Sequence, residues 1–243
     1  MQRVIADFYN KTLDRRGKVD VFSIVKFRRQ TNGTVNTCET GIPENIKTDQ
    51  AWIAETPVGD WFYGPNFVYS SDAVIRYLLE IVARDGAVGV SIPLRPDGSL
   101  DEGCVKMLKE VGEWMRINGQ GIYGSSAWSV LGEGKDGKLN VLPGGFIGAN
   151  QANHSFYTTD FRFTVGKDGA IYAWCMTVPK AGDKLKIVSL GSDAGIGQKQ
   201  VTSVELLGEK NKIEWKQEAD GLSIVYPDSA HLKTAVGFRI VCK

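Results

Sequence analysis

The sequence predicts an α/β region followed by an all-β region, and two patterns of apolar residues indicate this. Through residues 1–130, apolar runs of strand length alternate with segments of helical periodicity, as in βα units of a parallel sheet or barrel. Through residues 131–243, short strand-like runs are separated by turns rich in Gly and Asp, and helical periodicity is absent. The second pattern predicts an antiparallel β-sandwich of about 100 residues.

Composition excludes several classes of function. The chain has 243 residues and 42% hydrophobic content, enough for one large domain or two smaller ones. Lys and Arg number 29 against 28 Asp and Glu, so no basic field favours nucleic acid. The sequence contains no run of about 18 apolar residues, so it predicts no membrane span. The N-terminal segment lacks the apolar core of a signal peptide, so we expect a soluble chain that stays in the cytoplasm.

Metal and cofactor chemistry is not expected. The four cysteines are spread along the chain without C-x-x-C spacing, which predicts buried free thiols: Cys38, Cys104, Cys175 and Cys242. Only two histidines occur, His154 and His231, which argues against a zinc site. The chain also has no Gly-rich phosphate loop.

The first elements of the α/β region are a helix and two strands. Residues 2–16 predict an amphipathic helix that stops at Gly17. Residues 19–25 form a nearly continuous β-branched and aromatic run, which predicts a strand buried on both faces. The run Lys26-Phe27-Arg28-Arg29 places three positive charges at its carboxyl end, and residues 34–39 predict a second strand.

The region continues through a loop at residues 42–51 to two further helices. Ser70 or Ser71 caps the first helix, and Gly86 ends it. Residues 87–93 predict a strand, and Asp101 caps the last helix. A shift to Gly and charge at residues 129–137 predicts the domain boundary. The predicted sandwich strands are 160–165, 170–178, 184–190, 200–207, 212–217, 222–226 and 235–242.

Three ordered motifs carry a resemblance to a known family. They are the aromatic loop 60–63, the strand and turn 86–98, and the helix and turn 111–124. In this order they resemble the C-terminal part of the catalytic barrel of α-L-fucosidases, glycoside hydrolase family 29. Residues 161–165, 203–208 and 219–222 resemble the C-terminal sandwich of the same family.

The resemblance implies a partial β/α barrel. A complete barrel has eight strands and about 250 residues, whereas residues 1–130 supply about half of that. A half barrel leaves two open sheet edges. We therefore expect either a fragment of a longer protein or two chains that complete one ring as an isologous homodimer.

The resemblance also implies catalytic carboxylates. Retaining glycosidases use a nucleophile and an acid/base. The family nucleophile precedes the first helix of this chain and has no counterpart here. The resemblance places Glu39 at the family's general acid/base position, whereas the residues around it, taken alone, favour a surface carboxylate at a strand end. Glu55 matches an acidic position and is the alternative acid/base or a stand-in nucleophile; Asp20 and Asp60 are weaker alternatives.

Three residues are implied to contact substrate. Trp61 matches an aromatic residue of the sugar pocket, where a ring covers the apolar face of fucose, and core packing is the competing interpretation. Tyr63 lies in the same aromatic loop, where packing is the favoured interpretation. Arg28 lies near the family's substrate-contacting Arg, although the family motif N-D-R-W is here Val25-Lys26-Phe27-Arg28. Two functions remain open. One is a retaining exo-α-L-fucosidase acting on fucosylated oligosaccharides or glycoconjugates, and the other is a non-catalytic carbohydrate-binding or structural module.

Overall fold

The computed structural model describes residues 2–26, 33–39, 42–142, 154–194, 200–228 and 232–243. Within these residues an α/β part comes first. Its elements in chain order are α1 (Gln2–Arg16), β1 (Ser23–Val25), β2 (Thr34–Cys38), β3 (Trp52–Pro57), α2 (Ser71–Val82), β4 (Ala87–Ser91) and α3 (Glu102–Asn118).

The four strands form one parallel sheet in the order β1-β2-β3-β4, as the alternation of strands and helices predicts. Parallel strands bring their carboxyl ends to one edge of the sheet. The register pairs Thr37 with Ile53 and Glu55 with Gly89. Successive residues of a strand alternate between faces, and Trp52 and Ala54 pack with α2, so Glu55 lies on the face away from α2.

Helix α2 covers the other face of the sheet. It begins after Ser70, whose hydroxyl accepts a hydrogen bond of 3.2 Å from the backbone N–H of Ala73. Tyr77, Leu79 and Ile81 are fully buried on this helix. They share a core with Trp52 and Ala54 of β3, which is the packing that the apolar stripe of α2 predicts: Trp52, Ala54, Tyr77, Leu79 and Ile81.

Strand β3 is observed in the structure but not predicted, because the sequence pattern indicates no strand between residues 42 and 69. Buried and half-buried residues alternate along it, as expected when a helix covers one face only. The strand is short and ends at Pro57, beyond the register that it shares with β2. Glu55 therefore lies on a strand, not in a loop.

The two outer strands of the parallel sheet are exposed. The prediction that the first strand is buried on both faces is wrong: Phe22 is 62% exposed and Ile24 is 46% exposed. Within the described residues β1 has one neighbour, β2, and β4 likewise has only β3. Apolar side chains stay in contact with solvent along both outer strands and on α1: Val4, Phe8, Leu13, Val19, Phe22, Ile24, Val90 and Ile92.

The second part of the chain is built from two antiparallel sheets. One contains five strands in the order β5-β6-β7-β12-β9 and the other three in the order β10-β11-β8. The strands are β5 (Ser126–Glu133), β6 (Phe161–Val165), β7 (Ile171–Cys175), β8 (Lys184–Ile187), β9 (Val201–Leu206), β10 (Trp215–Glu218), β11 (Gly221–Val225) and β12 (Val236–Cys242).

The core of this part lies between the two sheets. Phe163 and Phe238 of the larger sheet pack in one cluster with Leu185, Leu222 and Ile224 of the smaller sheet. All five side chains are almost completely buried. This arrangement is the predicted sandwich. Strand β5 was not predicted, and the predicted boundary at residue 130 falls inside it.

The two parts share a second core. Trp114 of α3 packs on Trp174 of β7 with ring centroids 5.7 Å apart, and its indole N–H donates to the carbonyl of Ala235 at 2.8 Å. Gly121 closes this contact, because a Cβ built there would lie 2.4 Å from the Tyr172 ring and 2.6 Å from the Trp174 ring. The sandwich is therefore packed against the helical layer of the parallel sheet.

Two smaller expectations can be compared with the structure. None of the four cysteines forms a disulfide within the described residues; Cys104 and Cys175 are buried as expected, whereas Cys38 and Cys242 are half-buried. Burial raises the pKa of the Cys175 thiol to about 12. None of the helices in the described ranges combines the length and apolarity that crossing a membrane requires.

Candidate active site

Three charged side chains meet at the carboxyl edge of the parallel sheet. Lys26 follows β1, Glu39 follows β2 and Glu55 lies near the end of β3. The Lys26 ammonium is 2.6 Å from a carboxylate oxygen of Glu39 and 3.8 Å from one of Glu55. We call these three residues the edge cluster. The structure thus brings together the two carboxylates that the sequence singled out, with a cation between them.

The strand register explains why the two carboxylates face each other. Thr37 pairs with Ile53, so two residues further along each strand Glu39 and Glu55 point to the same face. Gly89 of β4 lies beside Glu55, and a Cβ built there would lie 3.3 Å from Cδ1 of Ile53 and 3.7 Å from Cγ of Glu55. The edge cluster is therefore a product of parallel pairing rather than of loop conformation.

The edge cluster is partly open to solvent. The side chains of Glu39 and Glu55 are each 25% exposed, and that of Lys26 is 46% exposed. The pKa of Lys26 is raised above its ordinary value, first because its ammonium donates to Glu39 and then through the charges of both carboxylates. Lys26 therefore remains a cation throughout the neutral pH range.

A buried phenol lies in the layer behind the edge cluster. Tyr77 of α2 is fully buried, and within the described part of the chain its hydroxyl has no hydrogen-bond partner. Its pKa is raised, chiefly by burial and further by the nearby Cys38 and Glu55. At neutral pH Tyr77 is therefore a neutral side chain beneath the sheet.

The aromatic loop after β3 forms a separate group. The backbone N–H of Trp61 donates to the carboxylate of Asp60 at 2.7 Å, and the Trp61 side chain is half-buried. The Tyr63 hydroxyl lies 3.5 Å from the carboxylate of Asp101, which also pairs with Arg95 at 2.5 Å. We call Asp60, Trp61, Tyr63, Arg95 and Asp101 the second group; the hydrogen bonds of the Trp61 backbone and of the Tyr63 hydroxyl lie within it and not in the edge cluster.

An open cavity of about 540 Å³ adjoins the second group. Its lining includes Tyr69, Arg95, Asp101, Lys106 and Glu110, so it runs between the end of the loop 58–69 and the first turns of α3. The loop itself is closed by a hydrogen bond of 2.7 Å from the Tyr69 N–H to the Val58 carbonyl. Residues 58–69 thus form a compact loop at the same edge of the sheet as the edge cluster.

The remaining sequence candidates lie elsewhere. Asp20 precedes β1 and pairs with Arg16 at 3.0 Å and Lys18 at 3.3 Å, so it lies at the opposite end of that strand from Lys26. Arg28 lies outside the described residues. Lys26 was recognised in the sequence only as part of a charged strand end, because its role depends on which strands are neighbours. No group of three potential metal ligands occurs among the described residues.

Comparisons with known proteins agree with this architecture. The family model described as "Alpha-L-fucosidase" matches residues 1–120, and the model described as "Alpha-L-fucosidase C-terminal domain" matches residues 153–241. Together they cover most of the chain, in the order of its two parts. The chain belongs to the α-L-fucosidase family.

Individual members of the α-L-fucosidase family are distant in sequence. The rat tissue alpha-L-fucosidase is 25% identical over 203 residues, which are 81% of this chain and 37% of that protein. The Dictyostelium discoideum alpha-L-fucosidase is 26% identical over 133 residues, covering 55% of this chain and 23% of that protein. The chain thus spans well under half the length of these two fucosidases.

A solved structure shows the same fold. The Thermotoga maritima alpha-fucosidase in complex with fucose superposes with a TM-score of 0.66 at 19% sequence identity. The superposition covers 97% of this chain and 48% of the Thermotoga chain. Nearly every residue of this chain therefore has a structural counterpart in about half of that fucosidase.

Proposed function

We propose that the chain acts in the hydrolysis of terminal α-L-fucosyl linkages with retention of configuration, and that Glu39 is its general acid/base. The observation that carries the proposal is the edge cluster. In a chain of the α-L-fucosidase family, Glu39 faces a second carboxylate, Glu55, at the carboxyl edge of a parallel sheet. Catalytic residues of β/α barrels occupy this edge.

The chemistry needs two carboxylates. In a retaining mechanism one attacks the anomeric carbon, while the other protonates the leaving oxygen and later deprotonates water. The carboxyl groups stand about 5 to 5.5 Å apart in such enzymes. The nearest oxygens of Glu39 and Glu55 are separated by no more than the sum of their distances to Lys26, 2.6 and 3.8 Å, which is compatible with that spacing.

Within this proposal Glu55 is the nucleophile or the alternative acid/base. It lies on β3, supported by register pairs on both sides, so its position is fixed by the sheet. Lys26 has to release Glu39 before that residue can donate a proton, and its side chain, 46% exposed, can turn towards solvent. The substrate would then occupy the volume that the ammonium leaves.

Fucose binding is proposed to involve the aromatic loop. Trp61 offers a half-buried ring that can cover the apolar face of the sugar, and Tyr63 lies in the same loop. Arg28 follows β1 in sequence, close to Lys26. The Thermotoga enzyme of the same fold was solved with fucose bound, which supports a fucosylated oligosaccharide or glycoconjugate as the substrate class.

The proposal includes self-association. The parallel sheet behaves as half of a β/α barrel, since both of its outer strands lack a second neighbour in the described residues and carry exposed apolar side chains. Two copies that pair these strands would form a ring of eight, the strand number of a complete barrel. A ring would also enclose the edge cluster and exclude bulk water from it.

A non-catalytic role is the second candidate. The ion pair between Lys26 and Glu39 occupies the proposed acid/base, and the chain covers less than half of its fucosidase relatives. In that case the sandwich and the parallel sheet would serve as a carbohydrate-binding or structural module. The two candidates differ in whether the purified chain turns over substrate.

The deciding experiment is release of nitrophenol from p-nitrophenyl α-L-fucoside, with the mass in solution measured on the same sample. We expect turnover that falls by about 100-fold or more in Glu39→Gln, because general acid–base catalysis contributes about this much. Glu113→Gln, an exposed carboxylate on α3, is the matched control and should retain full turnover. Absence of turnover in the parent chain at every concentration would favour the non-catalytic module.

A further inference from the structure

A buried cluster of three charged residues joins the sandwich to the parallel sheet. Glu80 of α2, Arg84 just after α2 and Arg162 of β6 are at most 1% exposed. Arg162 binds Glu80 with two hydrogen bonds, Nε to Oε2 at 2.9 Å and Nη2 to Oε1 at 2.6 Å. Arg84 binds the same carboxylate through Nη1 at 2.5 Å. One carboxylate is thus shared by two arginines from different parts of the chain.

The cluster continues into the segment that follows Glu39. The Arg84 Nε–H donates to the carbonyl of Pro43 at 2.5 Å, and the Arg84 carbonyl accepts from the backbone N–H of Lys47 at 3.1 Å. We call residues 42–51 the β2–β3 segment. Arg84 therefore holds this segment by its side chain and by its backbone.

The β2–β3 segment is fastened at its other end to the strands that carry the edge cluster. The Gln50 side chain accepts from Nδ2 of Asn36 at 2.7 Å and donates to the carbonyl of Thr34 at 3.0 Å. The indole N–H of Trp52 donates to the Lys47 carbonyl at 3.1 Å. A set of hydrogen bonds thus runs from β6 of the sandwich through the β2–β3 segment to Thr34 and Asn36 of β2, the strand that Glu39 follows.

Opposite charges hold Glu80 in place between Arg162 and Arg84. Burial alone would raise the pKa of Glu80, but the charge and hydrogen bonds of Arg162 and then of Arg84 hold it below its ordinary value. Loss of one partner would leave a buried charge uncompensated, which is costly. Arg162 also donates to the carbonyls of Phe161 and Asn140, so its guanidinium is fixed from the sandwich side.

We propose that Arg162 is a positioning residue: through Glu80 and Arg84 it sets the place of the β2–β3 segment and hence of Glu39. Packing of the sandwich would then be a condition for an ordered edge cluster. The part of this inference that concerns activity rests on the proposed function of Glu39. The part that concerns the β2–β3 segment can be tested without any turnover.

The test is amide hydrogen exchange in Arg162→Lys, measured by NMR or by mass spectrometry of short peptides. A lysine keeps the charge but cannot bridge both oxygens of Glu80. We expect exchange of the β2–β3 segment, including the Lys47 amide, to accelerate by about tenfold or more while β7 exchange is unchanged. The matched control is Arg239→Lys on β12, whose ion pairs to Asp168 and Glu205 stay within the sandwich. It should leave the β2–β3 segment as in the parent.

Two outcomes would overturn the inference. One is unchanged exchange of the β2–β3 segment in a folded Arg162→Lys. The other is equal acceleration in the segment and in β7, which would reduce Arg162 to a source of global stability. If Arg162→Lys does not fold, Arg84→Lys removes the contact to Pro43 while keeping a cation beside Glu80, and the same two outcomes apply.

Activity separates this inference from the proposed function. Where the parent chain hydrolyses the fucoside, we expect Arg162→Lys to lower kcat more than it raises KM, because it misplaces the acid/base. Where the parent chain is inactive, loosening of the β2–β3 segment still supports the positioning role, and only the proposed function fails.

Discussion

The ammonium of Lys26 lies 2.6 Å from a carboxylate oxygen of Glu39, across the carboxyl ends of two neighbouring parallel strands. A second carboxylate, that of Glu55, lies 3.8 Å from the same nitrogen. The cation thereby holds two acidic groups close together that would repel each other without it. The pKa of Lys26 therefore depends directly on both carboxylates of the edge cluster.

Replacement of Glu39 by Gln should lower the pKa of Lys26 towards its ordinary value. The hydrogen bond and charge of Glu39 are the main reasons that this pKa is raised, and Glu55 contributes less. We expect a smaller decrease in Glu55→Gln for the same reason. Titration of the Lys26 side-chain NMR signals follows both changes. An unshifted Lys26 in Glu39→Gln would show that the ion pair does not form in solution.

Acid should weaken the fold through Glu80. Its pKa in the folded chain is lowered, because Arg162 and Arg84 outweigh the effect of burial. Its stabilising contribution is therefore complete above the unfolded pKa of about 4.3 and is lost as the pH falls through the lower folded pKa. Below about pH 4.3 we expect this group to reduce the free energy of unfolding by up to about 1.4 kcal/mol per pH unit.

Urea unfolding at a series of pH values measures this effect, with Glu80→Gln for comparison. The variant should be less stable at neutral pH and should lose less stability on acidification. Parallel pH profiles for the parent and the variant would assign the acid sensitivity to other carboxylates.

Gly121→Ala should destabilise the junction between α3 and the sandwich. The added methyl group would overlap the rings of Tyr172 and Trp174, both of which are buried, and overpacking of this kind costs about 1–3 kcal/mol. Gly112→Ala on the exposed face of α3 is the matched control, because a Cβ there meets nothing within 4 Å. It should stabilise the helix by up to about 1 kcal/mol. Urea unfolding gives the free energy of unfolding of both variants. A change of the same sign in the two would contradict this prediction.

Ile24→Lys should weaken self-association. Ile24 is 46% exposed on the outer strand β1, and a lysine on an edge strand opposes pairing with another strand. We expect the dissociation constant of the homodimer to rise by about tenfold or more in sedimentation velocity. Val188→Lys replaces a 58% exposed valine on the sandwich and should leave association unchanged. A parent chain that sediments as a monomer at every concentration would remove the basis of this prediction.

Local patterns in the sequence predicted much of the fold. The apolar stripe of α2 and the capping serine before it define that helix, and seven of the eight sandwich strands follow from their turns. Strand β5 escaped prediction because its pairing with β6 shifts register between Ala127 and Gly132, and because it runs into the stretch 129–137 that is rich in Gly and charge. Strand β3 escaped because a glutamate and a terminal proline interrupt its short apolar pattern.

The candidate site was predictable only in its separate residues. Glu39 and Glu55 were identifiable from the family motifs, but their shared contact with Lys26 depends on the order and register of three strands. The contact between Glu80 and Arg162 joins residues 82 positions apart in two different parts of the chain. Sequence periodicity does not predict this pair. A buried arginine on a strand and a buried glutamate on an apolar helix face are each unfavourable without a partner, and the pattern does not show which partner each has.

The open edges of the parallel sheet differ from each other, and this difference limits what two molecules can build. A parallel sheet grows only when the β4 side of one copy meets the β1 side of the next. If four strands turn through half a circle, the second copy returns to the first and growth ends at two. If they turn through less, each addition exposes the same pair of edges again and the product is a filament. Sheet curvature therefore decides between a closed particle and an unlimited polymer, and light scattering at rising concentration distinguishes them.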